Sequence, residues 1–163
     1  MTNSIISEKA IIGKNVKIGA FCIIEEGVEI GDNTIIKNFV ELRKDTIIGK
    51  DCFIDSRVTS SGSCKIGNKV IVRYDSIIAR GVSIGDHTYI CPKVMTNNLD
   101  TNNEQIGGAK IGTNVFIGTS SVLHHGITIG DNSVLGSLSF VNKDIPANEI
   151  WFGNPAKVFK VKE

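Results

Sequence analysis

Aromatic residues are scarce in this chain: 7 Phe, 2 Tyr and 1 Trp amount to 6% of 163 residues. That excludes a core filled by large rings and fits a thin one filled by Ile and Val. Charge of one sign is missing as well. Lys and Arg number 18 against 17 Asp and Glu, a formal net charge of +1, so no electrostatic basis exists for expecting nucleic acid or a membrane surface as partner. No apolar run approaches the roughly 18 residues that would span a bilayer. The opening MTNSIISEKA has no succession of basic, apolar and cleavage segments, so a soluble, cytoplasmic protein is expected. The 4 cysteines show no zinc-knuckle spacing, and reduced structural thiols are the expectation.

What is present is a repeat. From Lys65 the stretch KIGNKVIVRYDSIIARGVSIGDHTYICPKVM places Ile66, Val72, Ile78, Ile84 and Ile90 six residues apart, and a strict short period means stacked structural units. The register extends back through Ile54, Ile48, Leu42, Ile36, Ile30, Ile24, Ile18 and Ile12 to Ile6, with only Ser60 and Thr96 breaking it. Four residues after these positions stand small or β-branched residues, among them Val16, Cys22, Val28, Thr34, Val40, Cys52, Val58, Cys64, Val70, Ser76 and Val82. Two inward positions per unit is strand periodicity, not helix. A second register runs from Ile111 through Ile117, Leu123, Ile129 and Leu135 to Val141.

A longer period overlies the short one: Gly13, Gly31, Gly49, Gly67 and Gly85 lie eighteen apart, and Gly112 and Gly130 resume the column. Three hexads therefore make one turn of a triangular prism, with Gly and Asn expected at the turns because they tolerate positive φ. Gly85 to Gly112 is twenty-seven residues, which predicts nine inserted after Thr96 as a protruding loop over about 97–108, where the composition is polar and Asn-rich. The expected architecture is an all-β parallel helix of about seven coils spanning 1–144 and roughly 35 Å long, with a short C-terminal tail at 145–163.

The three corners differ. The glycine column is monotonous, as a structural turn needs to be. The corner that carries the loop changes in every coil: Arg43-Lys44-Asp45, Ser61-Gly62-Ser63, Ala79-Arg80-Gly81, Asn97-Asn98, His124-His125-Gly126 and Asn142-Lys143-Asp144. Variation without a backbone reason points to ligand contacts.

The hexads, together with GGAKIGTNVFIGTSSVL, GITIGDNSVLG and VNKDIPANEIWFGNPAKVFK, closely resemble the hexapeptide-repeat acyltransferases, which include serine, galactoside and sugar-nucleotide acetyltransferases. The resemblance covers nearly the whole chain. It implies left-handed coiling, otherwise rare, a homotrimer, acetyl-CoA as donor and active sites in clefts between subunits. It places Thr119 and Ser137 beside the pantetheine and Asn142 and Lys143 near the nucleotide end of CoA. Lys143 and Lys157 suit its phosphates as point charges.

The departure from the family lies in the loop. Its O-acetyltransferases carry a catalytic His there, whereas this chain has Asn97-Asn98-Leu99-Asp100-Thr101. A hydroxyl acceptor needs its proton removed as it attacks a thioester, while a neutral amine has its lone pair available. Two readings follow: His125 or His124 is the base, about 5 Å away on the next coil, or the acceptor is an amine. The second resembles the N-acetyltransferases of nucleotide-linked 3-amino and 4-amino deoxysugars in glycan and lipopolysaccharide biosynthesis, and is the expected function. Asp75 is a candidate to accept the ammonium proton, or else a rung in a surface ladder with Arg57 and Lys93. Tyr74, Arg80, Asn97 and Asn98 are candidate substrate contacts, Arg80 toward a diphosphate or carboxylate. The alternatives are O-acetylation of a sugar or small hydroxyl compound, a γ-class carbonic anhydrase-like metalloprotein, and a non-enzymatic scaffold. Adjacent His124 and His125 diverge rather than converge on one metal, and no metal is expected.

Overall fold

The computed structural model describes residues 3–104 and 106–162. Two-residue strands recur every six residues from Ile5–Ile6 to Met95–Thr96 and from Lys110–Ile111 to Phe140–Val141, and no helix occurs among the described residues. With two longer strands near the C-terminus, Glu149–Gly153 and Ala156–Val161, they assemble into three sheets of 8, 7 and 9 strands. Each two-residue strand pairs in parallel with the strand one coil away: Ile5 with Ile23, Ile11 with Glu29 and Lys17 with Ile35 begin the three faces. The chain is a left-handed parallel β-helix. Between the first and second faces lies the variable corner, between the second and third the glycine corner, and between the third and first a corner that includes Tyr74 and Asp75. We call these corners two, three and one.

The insertion sits where the spacing puts it. Ile77 pairs with Met95, eighteen residues on, but Met95 pairs with Val122 and Ser83 with Lys110, twenty-seven on. The loop leaves at corner two and the other two corners keep their register.

The inward positions form one continuous column. Ile24, Ile36, Leu42, Ile54, Ile78, Ile90, Ile117, Leu123 and Leu135 are at most 1% exposed, and burying each such side chain is worth about 1.5–3 kcal/mol. Ile6 and Ile12 of the first coil remain 42% and 39% exposed, because only one side of that coil has a neighbour. The small inward residues do more than fill volume. Thr34 Oγ1 donates to Gly49 O at 2.9 Å and accepts from Cys52 N at 3.0 Å. Ser76 does the same with Cys91 O and Val94 N, and Thr88 with Gly112 O and Val115 N. Three thiols share the donor half of this arrangement, Cys22, Cys52 and Cys64 reaching the next coil's carbonyls at 3.0–3.1 Å. These hydroxyls and thiols serve backbone groups at the turns that would otherwise be buried without partners. All four cysteines are free.

Two expectations are corrected. The column glycines 13, 31, 49, 67 and 85 are not in the left-handed region; that conformation is taken by Asn15, Asn33, Asp51, Lys69 and His87, with φ of 55–60°. Glycine is required instead by contact, since a Cβ on Gly85 would stand 2.6 Å from the carbonyl carbon of Gly112. The repeat also continues past Lys143. Ile145, 2% exposed, bridges to Ile129, and Trp151 pairs with Leu135. Both are sixteen residues on, because the turn Asn142-Lys143-Asp144 leads straight into Ile145 and shortens the coil by two. Strand Glu149–Gly153 then folds back on Ala156–Val161 as an antiparallel hairpin at the end of the third face, with Phe152 against Phe159.

This geometry predicts opposite responses two residues apart. Gly85→Ala forces backbone apart and should destabilise by about 1–3 kcal/mol, whereas His87→Gly, which relieves a left-handed residue, should change stability by less than about 1 kcal/mol. Urea unfolding of the two variants beside the wild type makes the comparison; equal losses would contradict it.

Candidate active site

The first face delivers its residues to corner two in register. Because Thr96 pairs with Leu123, Asn97 stands under His124 and Asn98 under His125, and Asn97 N donates to Leu123 O at 3.0 Å. The loop then rises over the histidines and returns. Gly107 N donates to Asn98 O at 3.3 Å and Gly126 N to Gly107 O at 3.0 Å. Ile106 presses on the turn so closely that a Cβ at Gly126 would lie 3.0 Å from its Cγ2. Between these ends, Asp100 closes a compact turn by accepting Asn102 N and Glu104 N, both at 2.8 Å. The bond from Glu104 N is the main cause holding the Asp100 carboxyl below its usual range, with a smaller electrostatic contribution from nearby His125.

His124 and His125 lie against each other with ring centroids 3.8 Å apart, and His124 meets the edge of Phe140 at 5.9 Å. Burial, and secondarily the neighbouring imidazole, lowers the pKa of His124, which leaves it neutral at pH 7. His125 Nδ1 is buried with no hydrogen-bond partner among the described residues, whereas buried polar groups are ordinarily paired.

Just below the histidines the ladder between coils opens. Thr96 takes no part in the register at Ile77 and Met95, and Ala79 N donates at 2.7 Å to the Thr96 hydroxyl, which in turn donates to Ile77 O at 3.1 Å. This explains the polar residue in the core: where the loop draws the backbone away, a hydroxyl replaces a carbonyl. The opening is a cleft of about 400 Å³ walled by Ile77, Met95 and Leu99, with Ser61 at its foot and Asn97 and Asn98 at its head. One coil lower, Ser60 and Thr46 share a short hydrogen bond. Gly62, at φ 98°, leaves room for the Arg80 guanidinium, which donates to Ser63 Oγ at 3.3 Å.

The sequence candidates therefore fall into three groups. Corner two gathers Arg80, Asn97, Asn98, His124, His125, Asn142 and Lys143. Corner one holds Tyr74, Asp75, Thr119 and Ser137, across the first face. There Arg57 Nε and Nη2 grip Asp75 at 2.6 and 3.3 Å, and this hydrogen bonding lowers the Asp75 pKa; the geometry is that of the ladder. Lys157 is on the terminal hairpin of the third face, opposite corner two. Nothing in the residue pattern marks Asp100 or Ile106 as neighbours of His125, or the apolar cleft, because loop and outward positions carry no period. Among the described residues no three His, Cys, Asp or Glu side chains cluster as a metal site.

A direct consequence is measurable by NMR. The His124 imidazole should titrate below the roughly 6.5 of an unperturbed histidine. Since the unfolded chain then binds the proton more readily, stability should be complete above that pH and fall as pH drops below it. A His124 titration at or above the ordinary value would contradict the burial described.

Residues 9–44 and 108–143 match the family described as bacterial transferase hexapeptide (six repeats). No curated protein matches the chain. Among solved structures, a UDP-N-acetylglucosamine acyltransferase is 25% identical, with a TM-score of 0.78 over 97% of this chain and 72% of that one. The UDP-N-acetylglucosamine O-acyltransferase of Moraxella catarrhalis is 22% identical, with a TM-score of 0.69 over 100% and 74%. An N-acyltransferase from Bacillus cereus, in complex with dTDP and coenzyme A, is 19% identical, with a TM-score of 0.55 over 99% and 92%. The latter two share the fold. With its six-residue repeat, its eighteen-residue coil and these two matched segments, the chain is similar to the hexapeptide-repeat acyltransferases.

Proposed function

We propose that the chain transfers the acetyl group of acetyl-CoA to the amine of a nucleotide-linked 3-amino or 4-amino deoxysugar, in glycan or lipopolysaccharide biosynthesis, as a cytoplasmic homotrimer. The observation that carries this reading is the pair of histidines beneath a loop that has none of its own. The amine, bound neutral, attacks the thioester carbonyl; the C–N bond forms, the C–S bond breaks and CoA leaves as a thiolate. His124 or His125 accepts the proton shed by nitrogen and returns it to sulfur. Positioning supplies much of the rate, because a neutral amine needs no base to become nucleophilic. The nucleotide sugar named for the 25% identical relative supports a nucleotide-linked acceptor.

The homotrimer is supported by the division of the candidates. Thr119 and Ser137, read as pantetheine contacts, lie on corner one, so a cleft that also includes the histidines needs corner one of a second copy beside corner two of the first. The outward column Ile35, Phe53, Ile71, Tyr89 and Phe116 of the third face, with Tyr89 stacked on Phe116 at 5.6 Å, gives an apolar surface for such contacts. Transfer to a hydroxyl is the second reading. It is favoured by the lowered pKa of His124, since an imidazole neutral at physiological pH is a competent general base.

Thiol release from acetyl-CoA, with UDP- and dTDP-linked amino sugars beside matched hydroxyl acceptors, distinguishes the two. Turnover is expected with amines; turnover with hydroxyls alone would overturn the amine reading. His125→Ala should lower kcat by about 10²-fold, and full activity in that variant would remove His125 from the mechanism. The rate should also fall as pH drops through the depressed pKa of His124, and His124→Gln should remove that limb of the profile.

A further inference from the structure

The cleft beneath the histidine pair is larger than an acetyl group requires. Its volume is about 400 Å³, whereas a methyl group is comparable to a water molecule, whose share of liquid volume is about 30 Å³. It runs from Asn97 and Asn98 at its head, past Met95 and Ile77, to Ser61 at its foot. That is two steps between coils, or about 10 Å.

The chemistry of the walls is graded along this length. Ile77, Met95 and Leu99 are 37%, 44% and 42% exposed, apolar surface open to an occupant. The Thr96 hydroxyl is already committed to Ala79 N and Ile77 O. The Asn97 and Asn98 side-chain amides have no hydrogen-bond partner among the described residues, although their backbones are fixed by Leu123 and Gly107. Polar groups ready for a ligand therefore stand at the head, one coil from His124 and His125, and aliphatic groups stand below. A sugar ring, with hydroxyls around its circumference, would press some of them unpaired against Ile77 and Met95. A thioester has the matching polarity: a carbonyl oxygen at one end, able to accept from an Asn amide, and an alkyl tail beyond it.

We infer that this cleft receives the acyl group of the donor and takes, beyond acetyl, straight or branched aliphatic chains of about four to five carbons, whose bonds of about 1.5 Å span roughly half of its length and leave the rest to the thioester end. This rests on the acyl-transfer reading above and extends its donor. Met95 and Leu99 are then the residues that set chain length, Met95 from the face and Leu99 from the root of the loop.

Calorimetric titration of the full chain with CoA, acetyl-CoA, butyryl-CoA and 3-methylbutanoyl-CoA tests it without knowledge of the acceptor. Butyryl-CoA should bind about tenfold more tightly than acetyl-CoA, as two methylenes taken out of water require. Leu99→Trp, which fills the cleft, should bring that ratio close to one. Met95→Ala, which removes a wall, should lower it in a chain whose thermal midpoint is unchanged. Equal affinities for the two thioesters in the wild type would overturn the inference and leave the cleft to the acceptor, with acyl transfer still standing. A ratio untouched by both substitutions would overturn it as well. Failure of CoA and every thioester to bind would overturn the acyl-transfer reading itself.

Discussion

Every coil is held to the next by backbone hydrogen bonds in a fixed register, and the rest of the structure follows from that constraint. Ile11 N to Val28 O, Gly31 N to Ile48 O, Ile47 N to Cys64 O and Gly67 N to Ile84 O, all at 2.8 Å, are successive rungs. A coil has no secondary structure of its own beyond two-residue strands, so it is stable only while its neighbours match it. Repetition of residue types is the result. Asp32, Asn68, Asp86 and Asp131 each accept the backbone N–H that the coil below presents at corner three, and Asn15, Asn33, Asn114 and Asn132 carry amide bonds along the same edge. Such side chains recur because the backbone group they serve recurs.

The same constraint decides what can be read without coordinates. The inward column was legible from Ile6 to Val141 because residues that share one core must share one volume, and volume shows in residue type. The insertion was legible because a column of glycines counts residues without regard to what lies between them. The reason for the glycines was not legible: at Gly85 the limiting contact is with the backbone of Gly112, and nothing local to Gly85 reveals it, whereas left-handed Lys69 and His87 look like ordinary polar residues. The continuation into Ile145 and Trp151 was hidden by a coil two residues short, which a strict period reads as an end.

The candidate site was legible to the extent that it departs from the repeat. His124, His125, Asn97 and Asn98 stood out because their corner has no common residue. The walls of the cleft did not, since Ile77 and Met95 occupy outward positions that Ile23 and Ile47 occupy elsewhere, equally apolar and about equally exposed. What distinguishes them is the overhang of Leu99, a matter of where the loop turns. Asp75 shows the converse. It was singled out for its charge, and its charge is taken up by Arg57 one coil below.

Thr96 joins the repeat to the candidate site. It breaks the apolar column at the one level where the ladder opens, and its hydroxyl satisfies Ala79 N there, so the break and the opening have a single cause. An aliphatic residue at this position would keep the core pattern and leave that N–H buried without a partner, a cost of about 1–3 kcal/mol. The polar core residue is thus the means by which the loop departs without unzipping its neighbours: Met95 still pairs with Val122, and Ile84 with Ile111. A site beside a loop on a register-locked helix requires such a local substitution of side chain for backbone. The nearest comparable break is Ser60, at the coil that forms the foot of the cleft, where the hydroxyl is shared with Thr46. Both interruptions of the hydrophobic period therefore fall on the first face, at the two ends of the opening that the histidines overlook.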